Sequence, residues 1–81
     1  MSDTRPYFSF TVYVSGISTE GAYEDALFEA GCDDALVCER YGELFLDFDR
    51  QAESYKSAVA SARRDVERAG GKVIRVQPII D

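Results

Sequence analysis

Asp47 and Asp49 stand two residues apart in a run that alternates apolar and polar, Leu44-Phe45-Leu46-Asp47-Phe48-Asp49. On a strand, that spacing puts both carboxylates on one face, about 7 Å apart. Paired carboxylates can serve as general acid and base, or can join Asp33 and Asp34 in holding a hard cation. Either role needs an enclosing pocket and a neighbour that shifts one pKa. The sequence offers no visible source of either, so solvated acids on a strand edge are the expectation. Cys32 and Cys38 are the only cysteines, and there is no histidine. A tetrahedral zinc site takes about four nitrogen or sulfur ligands, more than this chain supplies. The two thiols read as small, buried and reduced. Without histidine, no serine has its usual activating base. Gly16-x4-Gly21 lacks the Lys-Ser/Thr that would complete a phosphate loop, and reads as a turn before a helix. No catalytic residue, cofactor site or metal site is predicted.

The charge is more informative than any of these groups. The net value is −6, and it is unevenly placed. From Glu20 to Asp49 there are ten acids against one base, Arg40, whereas the rest of the chain holds five acids and eight bases. Phosphate affinity comes from basic groups that release counterions, so direct nucleic-acid binding is disfavoured. Tyr7, Tyr13 and Phe45 are residue types that stack on RNA bases, but Asp47 beside them and the missing basic frame argue against that use. A face dense in carboxylates can instead occupy a groove shaped to hold phosphates.

The elements that must position these residues follow from periodicity. Tyr7 to Ser15 alternates, with Phe8, Phe10, Val12 and Val14 on the apolar face of a half-buried strand. Gly16 ends it, and Ser18 or Thr19 is predicted to cap a helix whose positive end suits Glu20 and Glu24. In that helix Tyr23, Ala26, Leu27 and Ala30 form the inward stripe, and Gly31 closes it. Phe28 falls about 150° from the stripe, among Glu24, Asp25 and Glu29. It either folds under a loop or stands exposed as an interface anchor.

Ala35 to Arg40 and Leu44 to Asp49 are predicted strands joined by a tight turn at Tyr41-Gly42-Glu43. The second turns Leu44, Leu46 and Phe48 inward and Phe45, Asp47 and Asp49 outward. The first is ambiguous between Leu36/Cys38 and Ala35/Val37. A long helix over about residues 52–69 carries Tyr55, Ala58, Val59, Ala62, Val66 and Ala69 on its apolar side, with Arg63, Arg64 and Arg68 toward its negative end. Gly70-Gly71 stops it. Lys72 to Ile80 is predicted as the last strand, with Ile74 and Val76 inward and Pro78 suited to an edge.

This order implies a ferredoxin-like β-α-β-β-α-β domain, α+β in class, with an antiparallel four-stranded sheet and both helices on one face. Eighty-one residues support one such domain over 1–81, with residues 1–6 flexible. The predicted core holds Phe8, Phe10, Val12, Leu27, Leu46, Phe48, Val59, Val66, Ile74 and Val76. Hydrophobic content of 46% fits a folded chain, and no apolar run is long enough for a membrane. Met1 to Pro6 lacks the apolar stretch of a signal peptide, so a cytoplasmic location is expected.

Three segments carry a resemblance: Phe28-Glu29-Ala30-Gly31-Cys32-Asp33-Asp34-Ala35, Leu46-Asp47-Phe48-Asp49-Arg50 and Asp65-Val66-Glu67-Arg68-Ala69-Gly70. With the strand–helix order they resemble the N-terminal domain of small bacterial regulators that carry a helix-turn-helix after it. The chain given stops at Asp81, which leaves no room for DNA-reading helices. An acidic domain of this kind standing alone looks like a phage or mobile-element protein, and specifically like the small anti-CRISPR inhibitors of type I systems. That resemblance implies a non-enzymatic inhibitor, monomeric or weakly dimeric, whose acids mimic DNA and cover the DNA-binding surface of a Cascade complex. The residues expected at the partner are Glu24, Asp25, Phe28, Glu29, Asp33, Asp34, Asp47 and Asp49. Two alternatives remain open: a regulatory or antitoxin-like module that dimerises through its open sheet face, and an ACT-like domain that binds a small ligand at a subunit interface.

Overall fold

The computed structural model describes residues 4–18 and 20–79. The elements run β1 (Tyr7–Ser15), α1 (Tyr23–Glu29), β2 (Ala35–Arg40), β3 (Glu43–Gln51), α2 (Tyr55–Arg68) and β4 (Lys72–Pro78). The strands form one sheet in the order β2-β3-β1-β4, with every neighbouring pair antiparallel. This is the ferredoxin-like α+β arrangement. No helix among the described residues is long and apolar enough to cross a membrane.

Alternation in the two central strands builds most of the core. Phe10, Val12 and Val14 of β1 and Leu44, Leu46 and Phe48 of β3 are buried, and the register sets Phe10 opposite Phe48 and Val12 opposite Leu46. The Phe10 and Phe48 rings stack at 5.3 Å, and Tyr55 from the start of α2 closes edge-on against Phe10 and Phe8. Such edge and offset contacts suit the aromatic quadrupole and add to the burial of area. Along α2 the buried positions are Ala58, Ala62 and Val66, small side chains that let the helix lie close to the sheet. Ser54 caps it, a cap the sequence analysis did not assign, its hydroxyl accepting from the Ser57 amide at 3.1 Å. Behind α2, a Cβ at Gly71 would come within 2.9 Å of Val14, Ile17 and Val66, so the exit from the helix has no room for a side chain.

Four expectations change. First, α1 spans only seven residues, begins after Ala22 with no side-chain cap, and buries only Leu27 completely. Ser18 accepts instead from the Glu20 amide at 3.2 Å, a local turn outside the helix, and Thr19 lies outside the described residues. Second, the ambiguity in β2 resolves to Ala35 and Val37 inward, since Leu36 is 67% exposed. Third, Ile74 leaves the core. The β1–β4 pairing slips between Tyr13 and Val14, so Val12 faces Val76 but Val14 faces Val73, and Ile74 becomes the extra residue of a bulge. It is 63% exposed, and Val73 packs on the core in its place. Fourth, β4 ends at Pro78 on the edge of the sheet, and Ile80 lies outside the described residues. The rest of the predicted core holds, with Phe8, Val59 and Val76 half-buried at its margin.

Candidate functional site

The eight residues expected to meet a partner fall into three separate places. Glu24, Asp25, Phe28 and Glu29 project from α1, and Asp33 follows on the loop into β2; all five are exposed. The Phe28 ring is 64% exposed, which leaves it standing free of any loop. It borders a shallow groove of about 320 Å³ lined also by Glu24, Asp25, Cys32, Leu36 and Val37. No described base forms an ion pair with Glu24, Asp25, Glu29 or Asp33. Tyr23 opens the helix beside them. Its partial burial, then the Glu24 and Glu39 carboxylates, raise its phenol above the ordinary value.

Asp34 departs from its four acidic neighbours. Its two oxygens accept from Arg50 Nε and Nη2, both at 2.8 Å, in the bidentate geometry that suits guanidinium to carboxylate. Arg50 is only 8% exposed, and its remaining hydrogens go to Asp65 and Ser61 at 3.0 Å and to the Gly31 carbonyl at 2.8 Å. The guanidinium also lies 4.9 Å above the Phe48 ring. The hydrogen bonds that Arg50 donates to Asp34 raise its pKa, burial opposes this, and the two carboxylates keep the cation charged. A buried charge needs this degree of satisfaction, because one left unpaired costs several kcal/mol. Asp34 is thus a structural counter-ion and not a free surface acid.

Gly31 is shaped by the same cluster. Its φ of +114° suits glycine, and a Cβ there would meet the Asp65 carboxylate at 2.8 Å. Arg50 escaped the sequence reading although its signal was present. It stands two residues beyond Phe48, in phase with Leu44, Leu46 and Phe48, so strand alternation alone turns it inward.

Asp47 and Asp49 sit on the opposite side of the sheet from the helices. They accept from Thr11 Oγ1 at 2.7 Å and Ser9 Oγ at 3.2 Å across the β1–β3 pair. They belong to the open face of the sheet, which also carries Tyr7, Tyr13, Phe45, Arg75 and Gln77, as the alternation of the strands implies. Tyr13 and Phe45 lie side by side there at 5.9 Å, and the Arg75 guanidinium stacks 4.3 Å above Tyr13. Arg40, Tyr41, Glu43 and Ile74 surround them and shape two shallow concavities of about 250 and 320 Å³. The Tyr41–Gly42 turn has φ of +54° and +80°, and Tyr41 is fully exposed at its tip.

The thiols differ in setting. Cys32 is buried, and burial, then Asp65, push its pKa up to about 11, which keeps it protonated and unreactive near neutrality. Cys38 is half-buried on β2 opposite Phe45, and both sulfurs are free. Among the described residues no group of three histidine, cysteine or carboxylate side chains is placed to hold a metal ion. Comparison with known proteins found no family model, no curated protein and no solved structure that matches this chain.

Proposed function

We propose that this domain is a non-enzymatic, cytoplasmic protein-binding inhibitor that docks its α1 side onto a basic surface which otherwise holds nucleic acid. The observation that carries the reading is Phe28, 64% exposed among Glu24, Asp25 and Glu29 with no described base paired to them. Exposed aromatics of this kind anchor interfaces by filling a pocket in the partner. Uncompensated carboxylates around such an anchor speed encounter with a positive surface and select against an acidic one. Their reach in physiological salt is about 8 Å, so association should weaken as salt is added. In its most specific form, drawn from the resemblance to anti-CRISPR inhibitors, the covered surface is the DNA-binding region of a type I Cascade complex. Asp33 extends the acidic run into the loop, whereas Asp34 serves the fold, and Asp47 and Asp49 lie on the far side of the sheet.

The test is an electrophoretic shift of target DNA by purified Cascade, with and without this protein. Inhibition should appear with the natural chain and vanish in the triple variant E24K/D25K/E29K and in F28A, with melting temperatures nearly unchanged. A triple variant that inhibits as well as the natural chain removes the charge-mimicry mechanism. If the natural chain itself leaves the shift untouched, Cascade is not the partner.

A further inference from the structure

The two edges of the sheet are finished differently. β4 closes one edge with Lys72, Arg75, the bulge at Ile74 and Pro78, features of the kind that keep an edge strand from pairing further. β2 closes the other with none of them over Ala35-Leu36-Val37-Cys38, and its register with β3 runs unbroken to the hairpin. The Asp34 carbonyl accepts from the Asp49 amide at 3.1 Å. Alternation from that pair turns the amides and carbonyls of Leu36, Cys38 and Arg40 toward β3, and those of Ala35, Val37 and Glu39 outward. Among the described residues β3 is the only strand beside β2, and no turn or loop bonds the outward set.

Ala35, Leu36 and Val37 turn alternately to the two faces of the sheet, yet all three line the groove beside Phe28, Glu24 and Asp25, so the groove follows the outer edge of the strand. α1 runs alongside in the opposite sense. Glu39 acts on the Tyr23 phenol at the start of the helix, and Ala35 shares the groove with Phe28 near its end. Glu24 and Phe28 stand one helical turn apart, about 6 Å along the axis. Side chains two apart on a strand are separated by about 7 Å, so a strand laid against β2 meets the carboxylate and the ring in step.

We propose that the free edge of β2 takes up an extended, basic segment of a partner protein as an added antiparallel strand. This rests on the reading of the α1 side as a protein-binding surface, and names the form the partner takes there. The segment passes Glu39 first and Ala35 last. A lysine or arginine opposite Val37 reaches Glu24 and Asp25. The next residue, apolar, covers Leu36, which is 67% exposed, and a second apolar residue opposite Ala35 packs on Phe28. Main-chain bonds supply affinity in such additions, and the alternate side chains supply specificity. A second copy of β2 suits the edge poorly. Two-fold pairing at Val37 would bring the acids of both α1 helices together on one side of the joined sheet, and like charges so placed oppose association.

The probe is the blocked heptapeptide Lys-Thr-Lys-Val-Val-Val-Lys, titrated into the full chain and followed by amide NMR shifts and hydrogen exchange. Binding should shift and protect the amides of Ala35, Val37 and Glu39, and leave those of Leu36 and Cys38, already turned to β3, nearly unmoved. N-methylation of the third and fifth peptide residues, whose amides face β2, should weaken binding about tenfold or more, whereas the fourth and sixth tolerate it. Val37→Pro, which removes one outward amide and leaves the ladder to β3, should weaken binding in the same measure. The same peptide with glutamate for lysine should not bind. Equal binding of the two methylated peptides, or shifts confined to α1, overturns strand addition while a basic partner at α1 stands. If the peptide does not bind at millimolar concentration while the natural chain still blocks the DNA shift, the added strand falls and the α1 reading remains.

Discussion

The two sides of the sheet treat charge in opposite ways. Beneath the helices, Arg50 is enclosed, and its five polar contacts reach Asp34, Asp65, Ser61 and the Gly31 carbonyl. On the open face, Arg75 and Arg40 stand in solvent beside Glu43, one over an aromatic ring and neither in an ion pair among the described residues. The same residue type thus serves the fold on one side and is available to a partner on the other. Burial separates the two roles. A guanidinium deprived of water must find all its partners within the chain, whereas one at the surface keeps its hydration until something displaces it. The acids divide by the same rule: Asp34 is committed to Arg50, and Asp33 beside it is exposed.

The largest effect should come from breaking the enclosed side. Arg50→Met leaves Asp34 and Asp65 without their cation and is expected to cost about 3–5 kcal/mol, measured by urea denaturation. Arg50→Lys should recover only part of this, because an ammonium cannot reproduce the bidentate fork. If Arg50→Met is as stable as the natural chain, the cluster does not hold the helix layer to the sheet.

Next in size is a pH effect centred on Cys32. Its folded pKa, raised to about 11, lies above the unfolded value near 9, so the folded state retains a proton that the unfolded state releases between them. Stability from this group is full below pH 9 and falls as pH rises through 11, by on the order of 2 kcal/mol. The comparison is with Cys32→Ala, whose loss of stability over that alkaline range should be smaller by that amount. Equal losses would mean that the thiol ionises as easily folded as unfolded.

Smaller and opposite in sign is the hairpin tip. Tyr41→Asn relieves the left-handed strain and should raise stability by about 0.5–1 kcal/mol, read as a higher melting temperature. A loss of stability would indicate that Tyr41 contributes to the fold after all. Smallest of all, reversing Glu24, Asp25 and Glu29 should shift stability by no more than about 0.5 kcal/mol per site, since these exposed acids form no described ion pair. A larger loss would place α1 among the elements that hold the domain together.

Periodicity is written locally, and it determined the class of fold, the order of its elements, the inward faces of β1 and β3, and the buried alanine stripe of α2. It also set the acidic character of α1, because side chains on so short a helix have few ways to be buried. Tertiary structure decided what depends on residues distant in sequence. Ala35 and Val37 turn inward because β2 takes its register from β3. Ile74 turns outward because β4 bulges against β1, and a single extra residue inverts a pattern of period two. Asp33 and Asp34 are the same residue type side by side, and only the approach of Arg50, sixteen positions beyond Asp34, makes one a counter-ion and leaves the other exposed. Local sequence sets which way a side chain tends to point; what it meets there depends on where the rest of the chain packs.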